Sequence, residues 1–140
     1  MRLVLDTNVV ISGLLWHGPS ARLIDFAVEQ AVALCINPFL VDELTEKLNM
    51  PKFAVRIAAT GLAPAALCGQ YFALCEQVPA LTIARICRDP DDDNVLAAAL
   101  SARADLLVSG DYDLRVLGEF DGIPIVNAVD ALARLEQIAR

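Results

Sequence analysis

Carboxylates recur in this sequence where apolar runs stop. Leu3-Val4-Leu5 runs into Asp6, Thr7 and Asn8, and Leu106-Leu107-Val108 runs into Ser109, Gly110 and Asp111, with Asp113 two residues beyond. Between them, Asp89-Pro90-Asp91-Asp92-Asp93-Asn94 leads into Val95-Leu96-Ala97-Ala98-Ala99-Leu100, and Glu43 lies in a leucine-rich stretch. Carboxylates held within a few ångströms of one another cannot all stay ionised without a counter-charge. Oxygen donors without His or Cys are what Mg²⁺ or Mn²⁺ prefers. One or two such ions can activate water and stabilise the leaving oxygen of a phosphodiester. Each acid also has a plainer reading. Asp6, Thr7 and Asn8 all suit a helix cap, Glu43 suits a helix surface, and the acids at 89–93 suit a solvated turn. Thr7 and Ser109 suit satisfied turn hydroxyls as well as groups that orient ligands.

The elements that carry these acids give them a common location. Leu3–Leu5 and Asp105–Val108 read as strands buried on both faces, and Ala33–Ile36 reads as another. In open α/β sheets, sites form beyond the carboxyl ends of the strands. Val9–Leu15 reads as a short helix or turn, and a second helix starts near Ser20, with Leu23, Ile24, Ala27 and Val28 at helical spacing. Pro38 suits the first turn of a third helix, whose apolar stripe is Leu40, Leu44 and Leu48. Glu43 lies about 60° from Leu40 around that helix, at the edge of the stripe. Short and long helical stretches follow at Lys52–Thr60 and Ala63–Gln77, then a short edge strand at Leu81–Ile83. The Ala-rich run after Asn94 is a strong helix former, and Asp91 or Asp92 is the expected cap. A short helix at Leu114–Leu117, a strand at Ile123–Val126 placed near an edge by Pro124, and a final helix at Ala128–Ile138 capped by Asn127 complete the order. This alternation predicts a three-layer α/β/α domain with a mainly parallel sheet. If the strands are parallel, Asp6 and Asp111 at strand ends, Asp93 opening a helix, and Glu43 one turn into a helix all fall on one rim.

Composition narrows the function classes. The 140 residues are 56% hydrophobic and 21% charged, which suits one compact domain over 1–140 and argues against disorder. The net charge of −7, from 18 acids against 11 Lys and Arg, is unfavourable for a general basic surface that grips polyanions. It is acceptable if acids gather on a metal. The cysteines are Cys35, Cys68, Cys75 and Cys87, without a CxxC pair, and the only histidine is His17, which argues against zinc. Cys68 and Cys75 read as small buried apolar residues. No signal peptide or long apolar span is evident, so no membrane is expected and a reducing cytoplasm is the default compartment.

Taken in order, Leu5-Asp6-Thr7-Asn8-Val9, the Glu43 helix, Asp-Pro-Asp-Asp-Asp-Asn before an Ala-rich helix, and Ser109-Gly110-Asp111-Tyr112-Asp113-Leu114 resemble the PIN domain. The resemblance covers essentially the whole chain and is nearest to toxin components of type II toxin–antitoxin pairs related to the VapC toxins. It implies a five-strand parallel sheet and a metal-dependent ribonuclease, hydrolysing RNA phosphodiesters by metal-activated water with Mg²⁺ or Mn²⁺. By the same resemblance, Asp6, Glu43, Asp93 and Asp111 are the catalytic, metal-binding acids. Asp93 is taken over Asp91 and Asp92 because it directly precedes the Asn-Val-Leu-Ala-Ala helix. Asp89 and Asp113 are secondary candidates, with Thr7, Asn8 and Ser109 behind the ligands. A cognate antitoxin protein and a homodimer or higher homo-oligomer are the implied partners. Ser-Gly-Asp departs from the Thr-Arg-Asn motif of many VapC toxins, so their substrate preference does not transfer.

RNA affinity needs phosphate neutralisation. Local cations that could supply it are Arg22, Lys47, Lys52, Arg56, Arg88 and Arg115, of which no more than two are expected to line the groove. Trp16 and Tyr112 can stack on bases, although packing is the plainer role for each. Two other readings compete. One is a catalytically inactive PIN-fold RNA- or protein-binding module, disfavoured because all four acids are present. The other is a phosphoryl-transfer or receiver domain with Asp6 as nucleophile, disfavoured because no Asp stands two residues on and no lysine ends a strand.

Overall fold

The computed structural model describes residues 1–138. Strand β1 (Arg2–Leu5) is followed by helices α1 (Thr7–Leu15) and α2 (Pro19–Val28), then by β2 (Ala33–Ile36) and α3 (Pro38–Leu48). A 3-10 turn at Pro51–Phe53 leads into α4 (Ala54–Ala59), α5 (Pro64–Leu74) and β3 (Glu76–Gln77). After an irregular stretch come α6 (Pro90–Ala102), β4 (Leu106–Val108), α7 (Tyr112–Arg115), β5 (Glu119–Phe120), β6 (Ile123–Val126) and α8 (Ala128–Ile138).

The six strands form one sheet in the order β3-β2-β1-β4-β6-β5. All pairings are parallel except β5 with β6. From β1 the chain steps outward to β2 and β3, then returns to the other side of β1 for β4. Right-handed crossovers therefore place the helices before and after that reversal on opposite faces. The fold is three-layer α/β/α, as expected. One face carries α6, which lies across β1, β2 and β4. On the other, α2 packs on α1 and α8. The central strands are covered on both sides, so their residues are uniformly apolar. Leu3, Val4, Leu34, Leu106, Leu107 and Val108 are fully buried, and the small side chains Ala97, Ala98 and Ala99 let α6 sit close above them.

The sheet has six strands where five were expected, because two short edge pairings were not anticipated. The helix expected over Ala63–Gln77 ends at Leu74, Cys75 turns extended, and Glu76–Gln77 pairs with Cys35–Ile36. That pairing takes the free edge of β2, and Leu81–Ile83 forms no strand. Pro79, which has no N–H to donate, stands just past the short pairing. At the other edge, Asp121 and Gly122 both have positive φ and turn β5 back onto β6, the backbone of a tight hairpin. Cys68 is buried as expected, while Cys75 is only half-buried; all four cysteines are free thiols. Among the described residues, no single helix is long and apolar enough to cross a membrane.

Candidate active site

β1 and β4 are neighbours whose onward connections leave in opposite senses, so a crevice opens beyond their carboxyl ends. Asp6 stands at the end of β1. Its N–H donates to Val108 O at 2.9 Å, which stitches it to the end of β4. Its side chain caps α1, with Oδ1 accepting from the Thr7 N–H at 2.8 Å. Oδ2 accepts from the Ser109 hydroxyl at 2.8 Å. The Ser109 oxygen in turn accepts the Asp111 N–H at 3.0 Å. Asp111 caps α7 by accepting from the Asp113 N–H at 2.9 Å. One buried hydroxyl thus ties the two strand-end acids to a common frame. Burial pushes the Asp6 carboxyl above its ordinary value; the Ser109 and Thr7 hydrogen bonds oppose the rise, and the Glu43 charge adds to it.

A third acid enters from α6. Asp92 is 7% exposed, and carboxylate oxygens of Asp92, Asp111 and Asp113 lie within 4.8 Å of one another. Burial raises the Asp92 carboxyl to about 7, reinforced by the charge of Asp111, its hydrogen bond to Asp111 and the charge of Asp6. Its place in the first turn of α6 sets it at the positive end of that helix dipole. Arg88 reaches Asp113 with one nitrogen, 2.9 and 3.0 Å from the two carboxylate oxygens, from a side chain that is 87% exposed. Glu43 approaches from α3, whose N-terminus is capped by the fully buried Asn37. The Asn37 amide also donates to Asn94 O at 3.2 Å, which fixes α3 against α6. Glu43 is half-buried, faces Lys47 at 3.4 Å and lines a recess of about 200 Å³ with Phe39, Asp42, Glu46, Asp91 and Asn94. Asp91 is raised by desolvation and by the Glu43 charge.

Asp6, Glu43 and Asp111 are therefore brought to one rim, and Asp113 with them. Asp93 is not. Both its oxygens face the backbone N–H groups of Ile86 and Cys87, the shortest contact being 2.9 Å to Cys87 N. It anchors the incoming loop to α6. Asp89, not Asp91 or Asp92, caps the helix by accepting from the Asp91 N–H at 3.0 Å. Asn8 is exposed on the first turn of α1. Helical spacing distinguishes Asp92 from Asp93. Asp92 is itself buried and shares a stripe with the buried Val95, Leu96 and Ala99, whereas Asp93 is half-buried and its stripe, through Leu96 and Ala97, reaches the half-buried Leu100.

An oxygen-only donor set with surplus negative charge is the composition a hard divalent cation takes. A second observation agrees: Thr7 Oγ1 is buried without a hydrogen-bond partner, the one such side-chain atom among the described residues. Buried hydroxyls are ordinarily satisfied, and this one adjoins Asp6.

No curated protein matches the sequence. A chain of the VapBC2 crystal structure from Rickettsia felis, bound to a DNA fragment from their promoter, has a similar fold. Its TM-score is 0.60 at 13% identity, over 91% of this chain and 98% of that one. A family model described as the PIN domain matches residues 2–113. With its acids at the carboxyl rim of a parallel sheet, the chain belongs to the PIN domain family and has its nuclease-type fold.

Proposed function

We propose that this protein is a Mg²⁺- or Mn²⁺-dependent endoribonuclease, the toxin of a type II toxin–antitoxin pair. The observation that carries the reading is the convergence of Asp92, Asp111 and Asp113 within 4.8 Å, beside the Asp6–Ser109 pair. The residues fit a divalent ion, and Asp92, Asp111 and Asp113 are the acids close enough together to hold it, with Asp6 and Glu43 beside them. Asp92 takes the place that the sequence reading gave to Asp93. When bound there, the ion supplies Lewis-acid polarisation of a phosphodiester and activation of water.

The chain's own groups prepare that chemistry. Ser109 holds Asp6 and Asp111 in fixed relation, so neither carboxylate must reorganise during reaction. Burial and the neighbouring acids raise the Asp92 carboxyl, so a bound cation would favour its ionised form. Arg88 on Asp113 and Lys47 on Glu43 temper the margin of the cluster and lie where RNA phosphates must approach. The similarity to a VapBC2 chain favours a cognate antitoxin as partner protein; the same reading takes 1–140 as one domain that assembles as a homodimer or higher homo-oligomer in the cytoplasm.

The test is cleavage of labelled RNA by purified protein. Cutting with Mn²⁺ or Mg²⁺, none in EDTA, and none by a folded Asp6→Asn variant are expected. Cutting that survives Asp6→Asn would remove the proposed centre. Failure of both proteins to cut would leave a PIN-fold binding module.

A further inference from the structure

A second cluster stands at the far end of α1. Trp16, the only tryptophan, is 42% exposed and lines a recess of about 410 Å³ with His17, Arg56, Thr60 and the last turn of α1. The Arg56 guanidinium lies over the Trp16 ring, 5.3 Å from its centroid. Phe53 meets Trp16 edge-on at 6.4 Å, and Lys52 sits 5.1 Å over the Phe53 ring. The result is an alternating ladder of cation, aromatic, aromatic and cation.

Two details separate this cluster from ordinary surface packing. Arg22, Lys47 and Arg88 are each paired with a carboxylate. Lys52 and Arg56 have no carboxylate partner among the described residues, as is also true of Arg85, Arg103, Arg115 and Arg134, but of these six only Lys52 and Arg56 lie over aromatic rings. Arg56 is also held in place, because its Nε donates to Leu15 O at 2.7 Å. That bond leaves its two terminal nitrogens without a partner among the described residues. Gly13 permits the close crossing of α1 and α2 that shapes the recess, since a Cβ there would meet Ile24 at 2.6 Å and Ser20 O at 2.8 Å.

We propose that the Trp16–Arg56 recess is a subsite for single-stranded RNA, in which Trp16 stacks on a nucleobase while Arg56 and Lys52 take flanking phosphates. Positive groups interleaved with aromatic faces are the ordinary means of holding single strands without reading sequence. The recess is of the size that small planar ligands fill. Trp16 lies about 15 Å along α1 from Asp6, a separation that a strand of several nucleotides can span. The assignment rests on the ribonuclease reading for its ligand, yet its test does not depend on cleavage.

Because Trp16 is the sole tryptophan, its emission reports on this recess alone. In EDTA, titrating a short single-stranded RNA of mixed sequence into the full chain should quench that emission saturably, and added salt should weaken the quenching. Lys52→Gln and Arg56→Gln, each checked for an intact melting transition, should weaken binding roughly tenfold or less. Trp16→Phe should abolish the emission signal while retaining most of the anisotropy-measured affinity, since a ring remains. Anisotropy that reports RNA binding with Trp16 emission unchanged would overturn the subsite and leave the nuclease reading intact. Quenching by RNA in a protein that never cuts would support the subsite and remove the nuclease reading. Quenching by a co-expressed partner protein but not by RNA would overturn the proposal in favour of a protein-docking surface.

Discussion

The two ends of the parallel sheet differ instructively. The larger recess, about 530 Å³, lies at the amino ends of β1 and β2, lined by Met1, Arg2, Ala31–Leu34 and Glu76. Its one strong cation is fully employed. Arg2 pairs with Glu76, its Nε donates to Ala102 O at 2.7 Å, and its N–H donates to Asp105 Oδ2 at 2.7 Å. No buried side-chain atom lining it lacks a partner among the described residues. The carboxyl end has less open volume but an excess of like charge, a carboxyl forced up to about 7 and an orphaned hydroxyl. Unbalanced chemistry, not space, marks the functional end.

The sharpest break between the ends is expected in activity. Asp6→Asn or Asp92→Asn should lower RNA cleavage by more than about a hundredfold, beyond the range of a lost supporting group. Arg2→Ala should leave the rate unchanged. Equal losses in Asp92→Asn and Arg2→Ala would erase the distinction. Ser109→Ala should come next, lowering cleavage by roughly 10–100-fold because it frees Asp6 from Asp111 without removing a carboxylate. Full activity in that variant would mean the hydroxyl only fills space.

Most of the sheet was legible because buried parallel strands are written as unbroken apolar runs, and β1, β2 and β4 are such runs. The strand-end acids Asp6 and Asp111 were legible for the same reason: each stands where such a run stops. Adjacency to the Ala-rich helix favoured Asp93 over Asp92 in the sequence, although adjacent helical residues diverge by about 100° and it is Asp92 that is buried beside Asp111. The continuation of the Asp92 stripe through Val95, Leu96 and Ala99 was the available signal. Asp121-Gly122 was a hairpin signal as well, passed over because two-residue strands carry no periodicity. β3 left no local trace: Glu76 and Gln77 are exposed polar residues, and their pairing is decided by the free edge of β2. Trp16, Lys52 and Arg56 were each legible as candidates for RNA contact, but their meeting in one cation–aromatic cluster was not, since Trp16 and Arg56 lie far apart in sequence and meet only through packing.

Smaller effects sharpen the same comparison through stability. The Asp92 carboxyl rises from 3.8 to about 7 on folding, so between those values the metal-free folded state binds more protons than the unfolded chain. Its contribution is complete below the lower value and is lost as pH rises through the upper one. In EDTA, the melting temperature of wild type should therefore decline relative to that of Asp92→Asn from about pH 4 to about pH 7. Parallel profiles would contradict the buried, crowded placement of Asp92. Smallest of all, Glu76→Gln should lower the melting temperature very little, because Glu76 is exposed and its pair with Arg2 is screened by solvent. A larger loss would show the amino end to be under more tension than its satisfied contacts imply.

Calorimetric titration of Mn²⁺ into wild type, Asp92→Asn and Asp93→Asn reaches the central claim most directly. Wild type and Asp93→Asn should bind with similar affinity, and Asp92→Asn should bind at least about tenfold more weakly. Binding retained in Asp92→Asn and lost in Asp93→Asn would contradict the assignment of Asp92, with Asp111 and Asp113, as the divalent-cation centre.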